Sequence, residues 1–208
     1  QVPIWFMRQA GRYLPEFQKI RKENLDFIKL CLNSNLVTDI TIQPLNRFDL
    51  DAAIIFSDIL IIPYGLGQKV EFKKGKGPIL EECDPKKILA AEETDAIKKF
   101  KPIYQAINQV KSKTKKNVIG FTGAPWTLLL YMLNKESPKN NFNFNLITKN
   151  KLLVNQLLEK LVNIIVFHIA KQIEAGADII QIFDSWAGLL PKKDLPNYCF
   201  NPTLEILQ

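Results

Sequence analysis

Apolar positions along the 208-residue chain follow two alternating patterns. The first is a short apolar run that closes on polar or turn residues. Asp51-Ala-Ala-Ile-Ile-Phe-Ser-Asp58, Asn117-Val-Ile-Gly-Phe-Thr-Gly-Ala-Pro125 and Ala177-Asp-Ile-Ile-Gln-Ile-Phe-Asp-Ser185 share it. Such runs predict strands covered on both faces. The second pattern is apolar at helical intervals. Ile97, Phe100, Ile103, Tyr104, Ile107 and Val110 predict one amphipathic helix, in which Pro102 is compatible only with a first turn. Leu153, Leu157, Leu161, Ile165, Ile169 and Ile173 predict a second helix with one continuous stripe, closed by Gly176 as C-cap. Pro15 to Leu32 predicts a third, and Lys69 to Leu80 an exposed hairpin around a Lys-Gly turn.

Strands alternating with helices predict an α/β fold with parallel strands. An open doubly wound sheet and a (β/α)8 barrel both fit. The glycine-rich dinucleotide loop of the first is missing. In a barrel, chemistry sits at the C-terminal ends of strands. Ser57-Asp58, Gly123-Ala-Pro125 and Asp184-Ser185 all fall at such ends. A full barrel needs about 250 residues, so three strands amount to roughly the first half. The expectation is a single incomplete domain over residues 1–208, a piece of a longer protein, since the chain opens on Gln and stops in a helix-like stretch.

Composition narrows the function. With 47% hydrophobic and 24% charged residues the chain is globular, neither disordered nor fibrous. The net charge of +7 favours anionic partners: nucleic acid, a membrane surface, or a polycarboxylate or phosphate ligand. Three scattered cysteines and one histidine argue against a zinc site and suit a reducing cytosol, where cysteine is a small buried hydrophobe. The Ala52–Tyr64 run is interrupted by Ser57-Asp58 and is too short for a bilayer. Lys111-Ser-Lys-Thr-Lys-Lys116 reads as the solvated end of a helix, and His168, on an apolar helix, as structural.

Several residues are candidates for chemistry. Arg8 and Arg12 flank Gln9-Ala10-Gly11; a guanidinium fork matches a carboxylate, and Gly11 would admit a close ligand. On spacing alone, two surface arginines around a turn glycine are the favoured reading. Asp58 follows an apolar strand, where a carboxylate needs partners; it is either a charge-stabilising group or a helix or turn N-cap. Tyr131 falls two turns into a helix that starts at Pro125, with its hydroxyl facing a pocket or satisfied in the core. Ser185 is a ligand contact or an N-cap.

Taken together, the motifs resemble one family. Pro3-Ile-Trp-Phe-Met-Arg-Gln-Ala-Gly-Arg-Tyr-Leu-Pro-Glu16, Ala53-Ile-Ile-Phe-Ser-Asp-Ile-Leu60, Gly120-Phe-Thr-Gly-Ala-Pro-Trp-Thr-Leu128 and Gln181-Ile-Phe-Asp-Ser-Trp-Ala-Gly188 resemble, in order, four signatures of uroporphyrinogen decarboxylase. The resemblance implies a distorted (β/α)8 barrel, a cytoplasmic homodimer, and removal of four acetate carboxyls from uroporphyrinogen III to give coproporphyrinogen III. It implies no metal, no organic cofactor, and neither nucleic acid nor membrane as partner. Carried over residue by residue, it makes Asp58, Tyr131 and Arg8 catalytic. Arg8, Gln9, Ala10, Gly11, Arg12, Asp58, Tyr131 and Ser185 would bind substrate. The family's late histidine has no counterpart here, so this segment alone is expected to be inactive. Two rivals remain at this point: a corrinoid-dependent methyltransferase with a late zinc site, and a non-enzymatic module that binds porphyrin-like anions or nucleic acid.

Overall fold

The computed structural model describes residues 2–73, 75–138 and 145–208. The chain runs α1 (Pro15–Glu23), α2 (Phe27–Cys31), α3 (Ser34–Arg47), β1 (Ala52–Ile54), α4 (Ile61–Gly65), β2 (Val70–Lys73), β3 (Gly77–Leu80), α5 (Pro85–Ala90) and α6 (Glu93–Lys113). It continues with β4 (Asn117–Gly123), α7 (Pro125–Asn134), α8 (Asn145–Thr148), α9 (Lys151–Glu174), β5 (Ile179–Phe183), short turns between Ala187 and Phe200, and α10 (Asn201–Leu207). The order β1-β4-β5 forms one sheet and β2-β3 another. β1 pairs with β4 in parallel, Ala52 opposite Asn117 and Ile54 opposite Ile119. β5 follows the same direction: Asp178 N donates to Val118 O near one end of β4, and Ala124 N to Phe183 O at the other. Helical connections between these strands give the expected α/β fold with parallel strands.

The chain divides into two compact units, Gln1–Asp58 with Lys99–Phe121 and Ile169–Gln181, and Ile59–Lys98 with Thr122–His168 and Ile182–Gln208. In the first, Leu14, Phe17, Leu30 and Ile40 form an apolar cluster, with Ala10, Ile20, Phe27, Leu36 and Phe56 packed against it. Phe17 and Phe27 meet Phe56 edge-on, at 5.5 and 5.8 Å between ring centroids. Much of the lysine run at the end of α6 is spent on ion pairs: Lys111 with Asp178, Lys113 with Asp39 and Lys116 with Asp49. In the second unit, α7 is buried from Pro125 to Leu130 and again at Met132.

Several local expectations are corrected. Pro15 to Leu32 is two helices, because Asn24 ends α1: its N–H and its side-chain amide both donate to Ile20 O. Asp26 then starts α2 by accepting from Lys29 N. Pro102 sits inside α6 rather than in its first turn. The buried face of Phe100, Ile103, Ala106, Ile107 and Val110 holds the helix together around the missing N–H. The α9 stripe does not run straight. Steps of four residues advance about 40° beyond a full turn, so five steps drift roughly 200°. Leu157, Leu161 and Ile165 are buried as expected, but Ile173 is 55% exposed, and His168 and Gln172 take the inner face near the end. α9 then closes as predicted: Gly176 has φ +104°, with Ala177 N bonded to Gln172 O and Gly176 N to Ile173 O. α9, rather than the Ala52–Tyr64 run, has the length and composition to cross a membrane, a property shared by core helices, and much of its length is buried. The hairpin forms with Val70 opposite Leu80 and Lys73 opposite Gly77; Lys74 of its turn lies outside the described residues.

Candidate active site

In the first unit the Arg8–Arg12 stretch is irregular backbone, not helix. What shapes it is Gln9, which is only 3% exposed. Its Nε2 donates to Ala52 O at 2.8 Å and its Oε1 accepts from Ile54 N at 3.2 Å. Alternate residues of a strand present their peptide groups to opposite sides. Ile55 N bonds Ile119 O on β4, so Ala52 and Ile54 face the other way, and the Gln9 carboxamide fills the place of a strand partner. The next outward group, Phe56 N, donates to Thr41 Oγ1 at 3.0 Å. Tyr13 Oη donates to Gln9 O, Gln18 Nε2 donates to Arg12 O at 2.6 Å, and Ile4 N donates to Asp51 Oδ2 at 2.6 Å. The segment is therefore fastened to the strand that leads to Ser57-Asp58, and Ala10 and Phe56 share one apolar cluster. Gln9→Leu leaves Ala52 O and Ile54 N without these partners and is expected to cost on the order of 2–4 kcal/mol. Chemical denaturation checks this, and an unchanged midpoint would show that the amide bonds contribute nothing.

The chain has four arginines, all within its first 47 residues. Arg47 forks onto Glu16, at 2.7 and 2.8 Å, and the paired charge lowers the Glu16 carboxyl below its ordinary range. Arg21 lies over the Phe27 ring and bonds Asn24 O. Arg8 and Arg12 are exposed and form no ion pair among the described residues. Nothing in the local fold requires glycine at 11, since a Cβ there would only touch the Tyr13 ring at 3.7 Å. Asp58 is half-buried and caps no helix: the N-cap of α4 is Leu60, without a side-chain bond. Burial, followed by the charge of Asp58, pushes the thiol of buried Cys31 well up, while Arg21 opposes.

In the second unit, Tyr131 is the half-buried residue in the otherwise enclosed middle of α7. Its ring meets Trp186 edge-on at 6.2 Å between centroids. Ser185 is exposed and caps no helix, because the turn at Ala187–Leu189 begins from Trp186. The residue before it, Asp184, accepts from the Thr127 hydroxyl at 2.7 Å and is hydrogen-bonded by the Cys199 thiol, which burial and this carboxylate hold well above its ordinary pKa. Trp186 Nε1 is shielded from solvent without an acceptor among the described residues. Sequence reasoning missed Thr41, Thr127, Asp184 as an anchor, and Gln172, whose amide bonds both Phe121 N and Phe121 O. Among the described residues no group of three or more His, Cys, Asp or Glu could hold a metal ion.

The whole chain, residues 1–208, matches the family Uroporphyrinogen decarboxylase (URO-D). It is 39% identical to the uroporphyrinogen decarboxylase of Rickettsia felis over 212 residues, covering 100% of this chain and 61% of that protein. It is 40% identical to the Rickettsia bellii counterpart over 210 residues, 99% of this chain and 62% of that protein. The chain thus spans about three fifths of the length of these curated relatives. Among solved structures, a methyltransferase from Methanosarcina mazei superposes with a TM-score of 0.77 at 16% identity, covering 99% of this chain and 61% of that one. At that identity the likeness is one of fold: a TIM-barrel-like α/β arrangement.

Proposed function

The chain belongs to the uroporphyrinogen decarboxylase family, and from that premise we propose that the full-length protein carrying it removes the four acetate carboxyls of uroporphyrinogen III, yielding coproporphyrinogen III. The observation that carries this reading is the arginine pair. Arg8 and Arg12, exposed and without an ion pair among the described residues, lie on either side of a glutamine bonded to the strand that leads to Asp58. Two such guanidiniums suit the peripheral carboxylates of a tetrapyrrole. A carboxylate beyond a buried strand suits its central N–H groups.

The chemistry follows from those types. When the bond to the carboxyl carbon breaks, CO2 leaves and its electron pair stays on the acetate methylene. A pyrrole ring protonated beforehand accepts that pair, so the substrate supplies its own electron sink. A proton then converts the methylene to methyl, and the ring releases the proton it first took, so that one proton is consumed for each CO2 lost. Ionised Asp58 accepts the pyrrole N–H bonds and offsets the ring's transient positive charge. Arg8 and Arg12 hold the carboxylates so that one acetate at a time is correctly placed, Arg8 also serving proton delivery. Gln9, Ala10 and Gly11 form the floor between them, and Tyr131 and Ser185 are the polar contacts from α7 and the turn after β5. In this reading residues 1–208 are roughly the first half of a single distorted (β/α)8 barrel, the protein is a cytoplasmic homodimer, and this segment alone is inactive. The net charge of +7 draws a substrate bearing eight carboxylates.

The test incubates the full-length protein anaerobically with uroporphyrinogen III, oxidises the mixture and separates the porphyrins by carboxylate number. Stepwise loss of carboxylates down to the tetracarboxylate is expected. A folded protein that leaves all of them in place would overturn the reading.

A further inference from the structure

The first turn of α7 grips the Asp184-Ser185-Trp186 turn on both sides of Ser185. The Thr127 hydroxyl donates to Asp184 Oδ1 at 2.7 Å and accepts from Trp186 N at 3.1 Å. Trp126 Nε1 donates to the Trp186 carbonyl at 3.1 Å. Thr127 is 0% exposed, so water does not compete for either of its bonds. Residues 127 and 131 are one helical turn apart on the same face of α7. The Tyr131 ring rests against Trp186, the residue whose backbone Thr127 and Trp126 hold. One hydroxyl therefore ties the turn that carries Ser185 to the helix that carries Tyr131.

We propose that Thr127 is a positioning residue that sets Ser185 and Tyr131 in fixed relation for the substrate. The proposal rests on the reading above, in which those two side chains meet the tetrapyrrole. Few side chains can do this. The bond to Asp184 needs a donor, the bond from Trp186 needs an acceptor, and a buried hydroxyl offers both from one atom. Valine has the same shape and offers neither, leaving a carboxylate and a peptide N–H short of partners. Serine keeps both bonds and loses only a methyl. Asp184 extends the tie, since its carboxylate also holds the Cys199 thiol of the Pro196–Phe200 turn.

The experiment uses the full-length protein and uroporphyrinogen III. Thr127→Val should lower kcat/KM by ten- to a hundredfold, the order expected when reacting groups are misplaced by an ångström or less. Thr127→Ser should restore most of the loss. In a Ser185→Ala background, Thr127→Val should cost clearly less than in the wild type, because residues acting through one another do not add and only Tyr131 is then left to place. An equal loss in both backgrounds, or no restoration by serine, would overturn the proposal. If Thr127→Val does not fold, Asp184→Asn takes its place: a smaller loss that shrinks in the Ser185→Ala background is expected, and unchanged kcat/KM would overturn the proposal. A wild-type protein with no turnover overturns the functional reading instead. Positioning is then read from the indole N–H resonance of Trp126, which should move with Thr127→Val and return with Thr127→Ser. A resonance that stays in place would overturn the positioning role.

Discussion

Asp58→Asn in the full-length protein should reduce decarboxylation by on the order of a hundred- to a thousandfold, the usual cost of removing one electrostatic anchor from a transition state. The two side chains are nearly identical in shape, so the change isolates charge. The amide still offers one oxygen to pyrrole N–H groups, but its NH2 opposes them and it carries no negative charge to offset a protonated ring. Capture of substrate depends on the peripheral carboxylates and the arginines, so affinity for the oxidised porphyrin should be largely retained. Turnover and porphyrin binding measured side by side decide the matter. Near wild-type turnover would remove Asp58 from the mechanism, and loss of binding equal to loss of turnover would make it a substrate anchor instead. The helix that follows takes its N-cap from Leu60, without a side-chain bond.

The second large effect concerns acid stability. His168 is 4% exposed on α9, and burial lowers its pKa from 6.5 to about 3. Between those values the unfolded chain binds a proton that the folded chain refuses. The stabilising contribution is therefore complete above pH 6.5 and is lost as pH falls, at about 1.4 kcal/mol per unit. By pH 4.5 the loss should approach roughly 3 kcal/mol, a large share of the stability of an ordinary domain. Denaturation midpoints at pH 7 and pH 4.5, compared between wild type and His168→Leu, separate this histidine from the carboxylates, which also titrate on acidification. The variant should be the less acid-sensitive of the two. Equal sensitivity would mean that His168 ionises in the folded protein.

What could be read from sequence was what short stretches decide. The three parallel strands, the Pro125 helix start, the hairpin and the Gly176 cap all depend on neighbours within a few residues, and each is present. The α9 stripe was misread for a geometric reason: six apolar residues at steps of four look like one face but wind around the helix, so Ile173 emerges on the outside. Asn24 and Pro102 show the same limit from opposite sides. A polar residue with two bonds to one carbonyl breaks a helix that composition would continue, and a buried apolar face carries a helix through a proline that composition would expel. Around the candidate site, the residue types were legible but their supports were not. Gln9 reaches Ala52 across 43 positions, Gln172 reaches Phe121 across 51, and Thr127 reaches Asp184 across 57. A polar side chain with a partner so distant leaves no periodic signal, and before folding it is indistinguishable from a surface residue.

The Gln9 carboxamide and the Thr41 hydroxyl, on the outward groups of β1 and of Phe56 just beyond it, also bear on what can pair with this strand. A border strand with bare peptide groups is a template onto which another polypeptide can be added, and folded proteins blunt such borders with charges, prolines or bulges. Here the blunting is done by two side chains that imitate a neighbouring strand without being one. They saturate Ala52 O, Ile54 N and Phe56 N and offer nothing in return for an incoming backbone to continue. Within residues 1–208 the stretch before α1 thus stands where a neighbouring strand would otherwise pair, and a chain shortened beyond Gln9 would leave Ala52 O and Ile54 N bare.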